Sequence, residues 1–206
     1  MVKLTRDIGN LIILFVLNII PIVNFIVLGY CAWILRLGDS ISMPPKIRDY
    51  LKLFVDGLKI ILAIIIYALI PILIIILSCP MPVFPPFIIH YTRFGMMGPG
   101  HMLFVGSMFL GLIFALIIGF LLSIVGAMGI IHMVKCDDFF KAFSFSEIFD
   151  RIRYVGWGKY LGWLIIMYIL FLIVSSLNRI HWIIFSLANV FYLVFLFRSA
   201  HYIYGG

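Results

Sequence analysis

Residues 102–134 read MLFVGSMFLGLIFALIIGFLLSIVGAMGIIHMV, a run of 33 positions without an aspartate, glutamate, lysine or arginine. At about 1.5 Å per residue such a run makes a straight helix of roughly 50 Å, longer than the ~30 Å of bilayer hydrocarbon. Membrane β-strands are shorter and alternate in polarity, and this run is continuous. The stretch therefore reads as a transmembrane helix. Within it Ser107, Gly111, Ala115, Gly119, Ser123 and Ala127 recur at every fourth position. Small side chains at that spacing let another helix approach closely, and packing then drives association in lipid. A four-residue step drifts about 40° around a helix of 3.6 residues per turn, so different partners meet the two ends of the stripe. Packing within one protomer is the plainer reading; a dimer face is the functional one.

The rest of the chain agrees. Of its 206 residues 65% are apolar and 11% charged, too few charges to clothe the surface of a soluble domain this size. Five apolar blocks stand out: Ile8–Leu35, Leu58–Ser78, Met102–Val134, Tyr160–Leu177 and Ile180–Phe197. Basic linkers (Arg36–Lys59 and Lys135–Lys159), a Pro-rich loop (Cys79–His101) and a turn at Asn178–Arg179 separate them. The expectation is one all-α integral membrane domain over residues 1–206: four full spans, a kinked or hairpin first segment and two interfacial amphipathic linkers. A weak likeness between residues 8–100 and 108–206 raises an old internal duplication, with Gly29 matching Gly129 and Lys59 matching Lys159. The first block is too long for a signal-peptide core and no small-x-small site follows it, so it is expected to be retained.

Block one is 28 residues, about 42 Å as a helix. Pro21 offers a break, and Asn18 and Asn24 can satisfy the backbone groups that a break frees. Charge chooses between a single crossing and a hairpin. With one crossing, eleven Lys and Arg residues lie on the linker side and Lys3, Arg6, Arg93 and Arg179 lie opposite. With a hairpin, Lys3 and Arg6 join the majority, and the positive-inside rule favours that arrangement. Gly29 and Tyr30 then lie on the returning arm and Arg36 marks its arrival at the cytoplasmic surface. The basic linkers and both termini are expected in the cytoplasm. A kinked single span is the alternative.

Both linkers show helical spacing of apolar residues: Ile47, Tyr50, Leu51 and Phe54 in the first, Phe145, Ile148, Phe149 and Ile152 in the second. Lys46, Arg48, Lys52, Arg151, Arg153 and Lys159 then face anionic lipid headgroups. Because most of the basic residues lie in juxtamembrane linkers, their charge fits membrane orientation better than nucleic acid.

No Asp, Glu, Lys or Arg falls in the central part of any block, which weighs against a proton relay. Cys31, Cys79 and Cys136 are far apart and give neither a disulfide framework nor a zinc signature. His132 and Cys136, four apart beside Asp137 and Asp138, are a thin metal candidate. No cofactor is expected and no catalytic constellation assembles. Two readings of function follow: a non-catalytic protein that organises a membrane complex or the bilayer, with lipids and a second copy or another membrane protein as partners; or a small transporter, channel or transporter subunit.

PIVNFIVLGYCAWILR (21–36), MPPKIRDYLKLFVDGLK (43–59) and YALIP (67–71) resemble the signature of a family of small polytopic membrane proteins, mostly archaeal, catalogued as a domain of unknown function. The matching positions are Pro21, Gly29, Tyr30, Arg36, Pro44, the Phe54-x-Asp56-Gly57-Leu58-Lys59 box, and Tyr67 with Pro71, one residue further apart than the family pattern. YVGWGKYLGW (154–163) resembles an element before the fourth span. The resemblance implies a helical fold in an archaeal cell membrane and supplies no activity. The box also has a physical reading as a corner. Asp56 would cap the start of the second span, Gly57 would let the chain bend, and Lys59 would snorkel to the headgroups.

Overall fold

Among the described residues of the computed structural model, four helices are long and apolar enough to cross a membrane, over residues 50–78, 106–136, 157–179 and 182–205. The structure describes residues 24–38, 49–78 and 99–205. Its α-helices are α1 (Asn24–Leu37), α2 (Tyr50–Ser78), α3 (Pro99–Cys136), α4 (Phe145–Val155), α5 (Trp157–Ser176) and α6 (Trp182–Gly205), with 3-10 turns at Phe139–Phe143 and Leu177–Arg179. The fold is all-helical, as the composition requires. The quoted run lies within a single helix of 38 residues.

Asn18, Pro21, Lys46 and Arg48 lie outside the described residues, and with them the turn that a hairpin needs. Asn24 opens α1, whose 14 residues reach only about 21 Å. The expected corner at Gly57 is absent. Helix α2 runs unbroken for 29 residues from Tyr50, so the described part of the first linker forms the opening turns of that helix.

The chain forms two compact units, Met1–Ile64 with Ile124–Gly206, and Ile65–Ser123. In the first, α1 packs on α6, and α5 packs on α4 and α6. Their core holds Tyr30, Leu35, Ile60, Met128, Ile152, Tyr160 and Val190, all fully buried or nearly so. Polar ties cross it. The Tyr160 hydroxyl donates to the Ile124 carbonyl at 2.5 Å, and the Trp163 indole donates to Ser199 Oγ at 3.0 Å. Gly156, at φ 92°, turns the chain between α4 and α5 in a conformation that a side chain would strain.

The α1–α2 crossing rests on two glycines. A Cβ on Gly29 would overlap the Leu53 carbonyl, and one on Gly57 would overlap the Phe25 carbonyl. Backbone therefore touches backbone here, as small residues permit between membrane helices. The Phe25 and Phe54 rings flank the crossing at 5.7 Å.

In the second unit the later part of α2 lies along the earlier part of α3. Ser78 covers Gly111, the ring of Pro71 meets Gly119, and Ala115 is buried. Three rungs of the small-residue ladder thus serve packing within the protomer. Ser107 and Ser123 are exposed and Ala127 is half-buried in the first unit. Outward-facing Ile65, Ile72, Phe109, Phe114 and Phe120 are exposed, as suits helices solvated by lipid.

Gly29→Ala and Gly57→Ala are expected to lower the thermal midpoint of the detergent-solubilised protein, each costing roughly 1–3 kcal/mol or more through overlap with backbone. Gly162→Ala, where an added Cβ meets nothing within 4 Å, is expected to hold or raise it.

Candidate functional site

Helix C-termini carry unsatisfied carbonyls and partial negative charge. In the first unit the C-terminal ends of α1, α3 and α6 converge, and side chains from other elements meet their carbonyls. Arg36 near the end of α1 is the hub. Its Nη1 donates to Asp56 Oδ2 at 2.7 Å, Nη2 to Asp137 Oδ1 at 2.7 Å, and Nε to the Val134 carbonyl at 2.9 Å. One planar fork thereby joins α1, α2 and the end of α3. Lys59 Nζ stands 3.7 Å from the other Asp56 oxygen.

Asp56, two turns inside α2, receives Arg36 rather than capping free amide groups. Gly57 serves the helix crossing one position away. Gly29, Arg36, Phe54, Asp56, Gly57 and Lys59, quoted above for the resemblance, all gather around the α1–α2 contact. Asp137, just past α3, sits at φ 55°, a left-handed conformation uncommon for a residue with a side chain. The hydrogen bond to Arg36 holds it there.

A second array surrounds His132 near the end of α3. Its Nε2 lies 2.9 Å from Glu147 Oε2 in α4, and its Nδ1 lies 2.8 Å from the Tyr204 hydroxyl in α6. Lys141 Nζ reaches Glu147 Oε1 at 2.5 Å. Arg151 donates to the Tyr204 carbonyl and lies over the Tyr204 ring at 4.0 Å, so this lysine-rich linker's Arg151 turns inward. His201 Nδ1 lies 3.2 Å from the Leu35 carbonyl and also contacts Lys135; one nitrogen serves the carbonyl as donor or the lysine as acceptor. Glu147 and Tyr204 are new to the site. Sequence spacing gave no sign of them, since they lie 15 and 72 positions from His132. The Cys136 thiol lies 3.8 Å from His132 Nδ1. Among the described residues no group of three His, Cys, Asp or Glu is placed to hold a metal.

Exposed residues decorate the same end. Lys52, Arg153 and Lys159 face outward, and Arg153 stands 3.8 Å from Asp150. A pocket of about 100 Å³ opens beside the hub, lined by Trp33, Arg36, Asp49, Lys52, Leu53 and Asp56. Two cations balance two carboxylates there.

The hydrogen bond from Lys141, then the one from His132, hold the Glu147 carboxyl below its ordinary value of 4.5. The same bond holds Lys141 above its ordinary 10.5. A carboxyl lowered on folding adds stability above its unfolded value and loses it as the pH falls through the folded one. A lysine raised on folding adds stability below its unfolded value and loses it as the pH climbs through the folded one. Glu147→Gln is therefore expected to flatten stability loss both below about pH 4.5 and above about pH 10.5 in thermal melts. Asp56→Asn, which removes the buried one of the two carboxylates that Arg36 binds, is expected to cost roughly 3–5 kcal/mol, and Asp137→Asn, at an exposed pair, about 1 kcal/mol or less.

No curated protein and no solved structure matches the chain. A family model described as "Protein of unknown function (DUF4013)" matches residues 13–180, and the chain belongs to that family.

Proposed function

We propose that this multi-pass membrane protein organises its surrounding bilayer, or a complex within it, by seating its charged end among anionic lipid headgroups. The observation that carries the reading is a division of labour among the basic residues. Arg36, Lys135 and Arg151 turn inward to carbonyls and acidic or aromatic partners. Lys52, Arg153 and Lys159 face outward. Around the outward set stand exposed rings: Phe140 at 78%, Phe145 at 47%, Tyr154 at 68% and Trp157 at 42%. Aromatic rings beside lysine and arginine are the chemistry of a helix lying at the water–lipid boundary. Helix α4 supplies the frame, with Ile148, Ile152 and Val155 buried against the core and Asp150 and Arg153 outside.

In this reading the charged end faces the cytoplasm of an archaeal cell, the setting the resemblance implies. The first apolar segment turns back near Pro21, so that both termini share that side, and the protein is not an enzyme. Transport is the competing class. The grooves of the second unit, lined by residues such as Pro71, Ile75, Leu112 and Phe120, are apolar, which suits neither an ion path nor a proton relay.

The test is thermal stability in mixed micelles. Phosphatidylglycerol is expected to raise the midpoint more than phosphatidylcholine does, by an amount that shrinks with salt. The combined Arg153→Glu and Lys159→Glu variant should lose the difference, since each cation near an anionic surface contributes about 1 kcal/mol. Equal stabilisation by both lipids would contradict the proposal. For orientation, Lys159→Cys should react with an impermeant maleimide only after the cells are opened.

A further inference from the structure

On the charged side of their glycine crossing, α1 and α2 enclose the cavity of about 100 Å³ beside Arg36. Trp33 and Arg36 lie about one turn apart on α1, and Asp49, Lys52, Leu53 and Asp56 share one face at the start of α2. Asp56 is the unusual member. Its side chain is only 6% exposed, and its Oδ2 accepts the bond from Arg36. Lys59 Nζ stands 3.7 Å from Oδ1, beyond hydrogen-bond distance, and among the described residues nothing else bonds that oxygen. A buried carboxylate oxygen short of a donor carries a cost that an entering N–H group relieves.

The mouth supplies the rest of the chemistry. Asp49 and Lys52 are exposed, and among the described residues neither stands in an ion pair. The half-buried Trp33, held edge-on by the Tyr30 ring at 6.4 Å, adds an aromatic face that attracts a cation. With Lys59 and Asp137 counted beside the lining, three cations meet three carboxylates. A neutral wall of mixed sign gives a lone ion little net attraction and suits a ligand that carries both charges. The cavity has room for about three waters, enough for a short ammonium arm and too little for a whole lipid.

We propose that this cavity binds a phosphoethanolamine group, free or as the headgroup of a phospholipid. The ammonium enters, donates to Asp56 Oδ1 and Asp49, and lies against the Trp33 ring, while the phosphate stays at the mouth with Lys52. The two-carbon arm between those charges suits the ~6 Å that one helical turn puts between positions 52 and 56. A trimethylammonium group has no N–H to give Oδ1, so the site distinguishes ethanolamine from choline. The proposal does not rest on the preference for anionic lipid read above from Arg153 and Lys159.

The test titrates the full chain, purified in a nonionic detergent, with dioctanoyl phosphatidylethanolamine or dioctanoyl phosphatidylcholine, counting bound lipid by native mass spectrometry. One phosphatidylethanolamine per chain is expected to bind about tenfold more tightly than phosphatidylcholine, the weight of one charge-assisted hydrogen bond. Asp49→Asn and Lys52→Gln, both changes at exposed side chains, should each weaken it several-fold without lowering the thermal midpoint in lipid-free detergent. The combined Arg153→Glu and Lys159→Glu variant should bind it as the wild type does, so this proposal and the anionic-lipid reading fail separately. Competition with free O-phosphoethanolamine distinguishes the sources: displacement of the lipid assigns the site to the headgroup alone, and no displacement assigns it to the membrane-anchored form. Equal binding of the two lipids, or wild-type binding of phosphatidylethanolamine by both Asp49→Asn and Lys52→Gln, would overturn the proposal.

Discussion

The guanidinium of Arg36 is the interaction on which the charged end depends. Three helices finish at this end, and finishing helices leave carbonyls that lipid cannot satisfy. Arg36 answers the last turn of α3 through the Val134 carbonyl and reaches two carboxylates with its remaining nitrogens. Arg151 meets the Tyr204 carbonyl in the same manner. The positive charge here is thus more than a topology signal, because part of it completes the backbone hydrogen bonding of converging C-termini.

That convergence also explains where chemistry can reside. Apolar helix flanks are solvated by lipid and carry little beyond packing, whereas the charged end gathers a histidine, a thiol, a carboxylate and a tyrosine from three helices and fixes the imidazole on both sides. Outward cations and rings on α4 and its neighbours stand at the same end of the unit as that array.

The membrane class and the spans were legible in the sequence because apolar runs of this length have few other physical solutions. The single long helix of 102–134 was legible from its unbroken small-residue period. Amphipathic α4 was legible too, in the spacing of Ile148 and Ile152. What local pattern misled on was Gly57. A glycine after an aspartate reads as a bend, yet in α2 its missing side chain admits the Phe25 carbonyl, and the helix continues. Arg36 and Asp56 were each singled out, as a topology mark and as a cap, and their partnership was not visible. Ion pairs across 20 and 101 positions leave no periodic trace. His132 and Cys136 were noticed as a helical pair, while Glu147 and Tyr204 enter only through tertiary packing.

The most direct measurement of the central claim is a double-mutant cycle on Arg36 and Asp56, read by unfolding in mixed micelles. Asp56→Leu leaves Arg36 only the exposed Asp137, and Arg36→Met leaves the buried Asp56 only Lys59 at 3.7 Å, so both should be strongly destabilising. Together they replace the pair by apolar volume, so the double variant should recover much of the loss, since removing both charges is far cheaper than removing one. If the two losses simply add, Arg36 and Asp56 do not act as a pair, and the account of this end of the molecule is wrong.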